Sequence, residues 1–459
     1  MIGNIIGPEI RELIEARNFA ALRGVLEDFS PADVAELITD VAEDEQAIVF
    51  RLLPHQQATE VMEYLEPDAQ QTVLRAMGRE EAARILNEMS ADDRTALLEE
   101  LPGAAVAQML TLLSPQERAI AQSLLNYPEG SVGRLMTPDF VSVRAHWNVQ
   151  QVLDHIREHG RDSETLNVIY VTDERGRLID DLRIREILLR PVSTPVREIH
   201  DSSALSLRAS DEAEVALELF KKYDRNTLPV VDFEEKLLGI VTVDDMLDVQ
   251  EEEATEDIQK MGAVEALDEP YLAATLGEMV KKRATWLVVL FVGELFTATA
   301  MRHYQSEIDR ATILAVFLPL IISSGGNSGS QASTLIIRAL AVGELALSDW
   351  WTVVRKEFFS GVLLGGILGV IGFLRIELWA MFMPDYGEHH LRLALTVALS
   401  LVGVVLWGTM SGSMLPLILR RVGLDPASSS APFVATLVDV TGLVIYFNMA
   451  TVLLRGTML

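Results

Sequence analysis

A carboxylate, Asp439, interrupts the apolar stretch APFVATLVDVTGLVIYFNMATVLL (431–454), which contains no lysine or arginine. In hydrocarbon an acid costs about 2.5 to 3.5 kcal/mol on insertion scales, so it either faces a polar interior or is protonated and bonded to another helix. Thr436 and Thr441 could turn toward the same wet lumen. Glu294 is a second acid in an apolar run, and its neighbours leave packing, partner contact and ion contact open. A third acidic feature is residues 244–257, with eight acids in fourteen positions. Such a run is a solvated helix face or, at the mouth of a membrane segment, a source of oxygen ligands for hard divalent cations.

Other chemistries find little support. The chain has no cysteine, which removes thiolate sites and disulfides. Its eight histidines form no HExxH spacing, and no P-loop or nucleophile–base pair stands out, so an enzyme is not expected. Residues 284–459 hold 11 acids and 10 bases, which leaves −28 of the net −29 on residues 1–283. That potential repels nucleic acid and concentrates cations. Glu9 and Glu12 precede any apolar core, so no cleaved signal peptide and a cytoplasmic start are expected.

The elements that would position these acids follow from hydropathy and period. Five apolar stretches near the roughly 20 residues that cross a bilayer are expected. They cover about 284–301, 311–340 with a break inside, 358–383, 391–419 and 432–454. The break is expected because Pro319 and the run from Ser323 to Gln331 are poor helix formers. Gly361, Gly365, Gly366, Gly369 and Gly372 have the spacing of a close helix contact. Inner loops carry slightly more lysine and arginine than outer ones, consistent with a cytoplasmic N-terminal half.

Upstream, Phe29, Val41, Leu53, Leu65, Met77, Met89, Leu101 and Leu113 recur every 12 residues, each followed by Ser, Pro or Gly. That is a stack of short helices, an α-solenoid. Two units of about 60 residues follow, with apolar strands at 166–171 and 228–231. The pair resembles tandem CBS domains, and GIVTVDD (239–245) fits their strand–turn–helix signature. In adenosine-binding CBS pairs the positions of Thr242 and Asp245 contact phosphate and ribose, so the resemblance makes ATP a candidate ligand. The first unit departs from the pattern with Arg183 and Glu186.

Solenoid, CBS pair, acidic connecting segment, GGNSGSQ (325–331) and DVTG (439–442) together resemble the MgtE magnesium channels over essentially the whole chain. The resemblance implies a multidomain fold: an all-α solenoid (1–130), α/β tandem CBS domains (131–195 and 196–250), an acidic plug helix (251–283) and a five-helix α transmembrane pore domain (284–459). It further implies a homodimer in the lipid of the bacterial inner membrane, with a pore lined by the second and fifth spans. Mg2+ would be both cargo and regulatory ligand. Asp439, Ala435 and Asn327 would line the ion path. Glu212, Glu214, Asp224, Asp245, Asp248, Glu253 and Glu256, with Asp425 at the inner mouth, would bind the Mg2+ that holds the gate closed. A broader Mn2+ or Co2+ transporter and a non-conducting CBS-type membrane sensor are the competing readings.

Overall fold

The computed structural model describes residues 2–199, 204–267, 271, 274–382 and 389–458, with side chains from residue 9 onward. The chain divides into two compact units, residues 1–250 and 251–459.

The first unit opens with ten short helices: α1 (Ile2–Glu15), α2 (Phe19–Leu26), α3 (Pro31–Asp40), α4 (Glu43–Phe50), α5 (His55–Tyr64), α6 (Pro67–Ala76), α7 (Arg79–Glu88), α8 (Ala91–Glu99), α9 (Gly103–Leu110) and α10 (Pro115–Leu125). Proline stands in the first turn of α3, α6 and α10, where its missing N–H is not needed. Ser30 and Ser114 accept hydrogen bonds from the N–H groups of Asp33 and Glu117. The residues of the 12-residue period fall just beyond the helix ends. Of them Val41, Leu53, Leu65, Met89 and Leu113 are buried in one continuous core, with Phe29, Met77 and Leu101 packed against it. The period is therefore a core period, as expected of a solenoid whose neighbours share one interior.

Arg94 of α8 is wholly buried. Its Nη1 donates to the carbonyls of Leu86 (3.1 Å) and Met89 (3.2 Å), and its Nη2 meets Glu117 at 2.6 Å. A buried charge persists only with such partners.

After α11 (Val132–Leu135) come two similar α/β units. The first holds β1 (Ser142–Arg144), α12 (Val149–His159), β2 (Val168–Thr172), β3 (Leu178–Arg183) and α13 (Ile184–Leu188). The second holds β4 (Leu207–Arg208), α14 (Ala213–Tyr223), β5 (Thr227–Val231), β6 (Leu237–Thr242) and α15 (Val243–Met261). In each, a parallel pair joins an antiparallel pair, with orders β1-β2-β3 and β4-β5-β6. All five residues of both β2 and β5 are buried, the pattern of a strand covered on both faces. Thr137 pairs with Ile240 on the edge of the second sheet. A Cβ at Gly239 would lie 2.7 Å from the Thr137 carbonyl, so only glycine fits there.

Among its described residues the second unit contains five helices long and apolar enough to cross a membrane. They are α16 (Leu276–His303), α18 (Ile313–Ala341), α19 (Trp350–Ala380), α20 (His390–Arg421) and α21 (Ala431–Leu454), with the short α17 (Gln305–Arg310) after the first. Two expectations are corrected. The acidic connecting helix does not reach Lys281–Arg283. It ends as α15 at Met261, Ala263 takes a left-handed φ of 58°, and the basic triplet lies in the opening turns of α16.

The second span is not broken either, since α18 runs continuously through Pro319 and Ser323–Gln331. Tertiary packing overrides propensity at this point. Gly325 and Gly329 lie backbone to backbone against Gly408 and Gly412 of α20, with no room for a Cβ at either of the α20 glycines. Several hydroxyls that weaken a helix in water find carbonyl partners in place, although the buried Ser328 Oγ has none. Ser324 donates to Leu320 O (2.6 Å) and Ser333 to Ser429 O (2.8 Å). On α19, Gly361, Gly365, Gly369 and Gly372 face α20, where a Cβ at Gly365 would sit 2.7 Å from Val402 Cα. Gly366 faces open space and takes no part in the contact.

Candidate functional site

Helix α21 starts sharply because Ser430 accepts the Phe433 N–H and Pro432 occupies the first turn. From that fixed start, Ala435 and Asp439, one turn apart, face Gly326 of α18. A Cβ at Gly326 would lie 3.4 Å from Ala435 Cβ and 3.8 Å from Asp439 Oδ1. Asn327, the next residue, is on the exposed side of α18, where its amide donates to Ser323 Oγ (3.4 Å). The threonines do not point into a common lumen. Thr436 turns its methyl toward Gly293 of α16, and Thr441 accepts a hydrogen bond from Trp407 Nε1 (2.7 Å). The neighbour of Asp439 is instead Glu294, whose carboxyl acts on it across α16 and α21.

Asp425 precedes α21 and caps a short turn by accepting the Ala427 N–H (2.8 Å). Its other oxygen meets Lys260 Nζ of α15 at 2.8 Å, and the same ammonium meets Glu256 at 2.5 Å. Two of the candidate sensing acids thus converge on one lysine. Burial works against the ammonium, but hydrogen bonds to Asp425 and Glu256 hold the Lys260 pKa above its ordinary range.

In the first unit Asp245 belongs to a larger acidic group. Its Oδ2 accepts both the N–H (3.1 Å) and the hydroxyl (2.8 Å) of Thr242. Burial, with the charges of Asp244 and Asp93, pushes Asp245 up to about 7 against those hydrogen bonds. Asp92 of α8, beside Asp245, is raised well above the usual carboxylate range by burial and by that neighbour's charge. Asp93 is raised by burial, with Asp244 and Asp248 adding to the shift. Burial also brings Glu63 to about 7, although the Ser90 N–H donates to it (2.9 Å). Glu164 is raised by burial and by Asp244 and Asp93. Carboxylates held together in this way favour whatever neutralises them, proton or cation. No three histidine, aspartate or glutamate side chains among the described residues already converge as a metal cage.

Other sensing candidates are scattered. Glu212 and Glu214 are exposed at the start of α14, and Asp224 ends that helix with a left-handed φ of 50°. Asp248 and Glu253 lie on α15. Thr242 and Asp245, the nucleotide candidates, are bonded to each other. A cavity of about 670 Å3 opens between the two α/β units, lined by Arg183, Glu186 and Arg190 of the first and Arg225 of the second, and Asp181 pairs with Arg225 at 2.6 Å.

The sequence reading missed Glu63, Asp92, Asp93 and Glu164. Asp92 and Asp93 carried only the signal of acids in a first helical turn, which is a capping pattern.

Residues 318–449 match the MgtE family, described as divalent cation transporters. Residues 29–130 match the MgtE intracellular N domain, and 132–192 and 196–252 each match the CBS domain. The chain is 39% identical over 450 residues to the magnesium transporter MgtE of Thermus thermophilus, covering 97% of this chain and 98% of that protein. It is 29% identical over 344 residues to the magnesium transporter MgtE of Bacillus subtilis, covering 74% and 73%. The solved cytosolic domain of the Mg2+ channel MgtE in complex with ATP matches at 36% identity. That match covers 52% of this chain and 98% of the other, with a TM-score of 0.50.

Proposed function

Because the chain belongs to the MgtE family of divalent cation transporters, we propose that it is a homodimeric channel for Mg2+ uptake across the bacterial inner membrane. The observation that carries this reading is the placement of Asp439 and Ala435 against Gly326, an acid beside bare backbone between two apolar helices. Mg2+ dehydrates reluctantly and suits a site of few carboxylates that leaves its water shell in place. A two-fold axis repeats Asp439, and the helix backbones keep the path narrow. Inward movement needs no pump, since a divalent ion gains about 4.6 kcal/mol over 100 mV.

Cytoplasmic Mg2+ closes the channel. The acids that bind it are Asp92, Asp93, Asp245 and Asp248 in the first unit and Glu253, Glu256 and Asp425 in the second. Bound cation removes the repulsion within each group of acids and shifts the population toward the closed state. Glu212, Glu214 and Asp224 contribute surface charge to the same response. ATP, the ligand of the related cytosolic structure, is matched by the cavity of Arg183, Arg190 and Arg225, whose guanidinium groups suit phosphate.

The test is Mg2+ influx into proteoliposomes at a set voltage. Asp439→Ala should abolish it, while the parent should conduct without a Na+ or H+ gradient. Undiminished flux through Asp439→Ala would sink the pore assignment. Equal flux of Mn2+ and Mg2+ would favour the broader transporter, and no flux from the parent would favour the sensor.

A further inference from the structure

We propose that Glu294 is a specificity-determining acid of the ion path, giving each protomer a second carboxylate beside Asp439 that favours divalent over monovalent cations. The proposal rests on Asp439 being the pore acid. Helix α16 comes close to α21 because Gly293 has no side chain: a Cβ there would lie 2.6 Å from Thr436 Cγ2. That approach sets the next residue, Glu294, beside Asp439.

No base of α16, α18 or α21 lies close to the pair in sequence. In α16 the nearest bases by sequence are Arg283 and Arg302, and Arg302 is eight residues, about 12 Å of helix, from Glu294. Helix α18 has no base before Arg338, and α21 has none. Glu294 is also exposed on the chain, among the exposed apolar residues Phe291, Leu295 and Phe296. An acid at that depth facing lipid would be costly, whereas one facing a hydrated path would not. Two carboxylates on adjoining helices can share one hydrated divalent ion, and a monovalent ion neutralises only half of their charge.

The full-length chain, reconstituted in phosphatidylcholine–phosphatidylglycerol vesicles, is assayed for Mg2+ influx and, without Mg2+, for Na+ influx at the same voltage. Glu294→Gln should lower Mg2+ flux about tenfold and Na+ flux only about threefold, as for one charge removed about 6 Å from the ion in a water-filled lumen. Glu294→Asp should retain most of the selectivity. A Mg2+ to Na+ flux ratio unchanged in Glu294→Gln overturns the proposal, whether both fluxes fall together or neither moves. If that variant does not fold, Glu294→Met, neutral and similar in volume, is judged by the same ratio. Asp439→Ala in parallel separates the two ideas: its undiminished flux overturns the pore reading itself, whereas its loss of flux beside an unchanged Glu294→Gln ratio overturns only the role of Glu294.

Discussion

Replacing Asp245 by Asn should flatten the pH dependence of stability of the first unit. Folding raises this carboxyl from 3.8 to about 7, so the folded chain holds the proton more tightly than the unfolded chain. Stability from this group is greatest below about pH 4, declines as pH rises toward 7, and is fully lost above that. Three pKa units correspond to about 4 kcal/mol, and partial exposure with screening brings the expected effect to about 2 kcal/mol. Asparagine is a clean replacement because one oxygen of Asp245 accepts both bonds from Thr242, and the amide oxygen can accept both as well. Calorimetry of the full chain in detergent, free of divalent cations, is the assay. At pH 8 the transition of the variant's first unit should lie about 4 to 8 °C above the parent's, and at pH 4.5 the two should nearly coincide. Millimolar Mg2+ should raise the parent's transition more than the variant's. Parallel pH profiles for the two proteins would refute the buried-charge account.

Two further outcomes are expected. Mg2+ should protect residues 1–283 from protease, and combining Asp248→Asn, Glu253→Gln and Glu256→Gln should weaken that protection; equal cleavage with and without Mg2+ would count against a cation-held closed state. Gly412→Ala should destabilise the membrane unit by about 1 to 3 kcal/mol, read as a lower melting temperature in detergent, because its Cβ would meet the Gly329 carbonyl.

What could be read in advance depended on how local each signal was. The 12-residue recurrence from Phe29 to Leu113 is a repeated local pattern, and those residues form or flank the solenoid core. The strands at 168–172 and 227–231 announced themselves by apolar β-branched runs. Helix α18 did not, because its serines and glycines argue against a helix until Gly408 and Gly412, some 80 residues away, supply the opposing surface. Glu294 was visible as an intramembrane acid, but its partner is 145 residues downstream on another helix. Asp92 and Asp93 look like ordinary helix-start acids, and only long-range folding brings them to Asp244, Asp245 and Asp248.

The glycine contacts between α18 and α20 also determine which part of the membrane unit can act as a stator. Where a carbonyl of one helix occupies the space a Cβ of the other would need, neither can turn or slide without collision, so Gly325, Gly329, Gly408 and Gly412 lock one wall in register. Helix α16 is different: it buries none of its residues, and its approach to α21 is set by Gly293. Among the described residues no such interlock of backbones holds it, and its approach to α21 at Gly293 is what sets Glu294 beside Asp439.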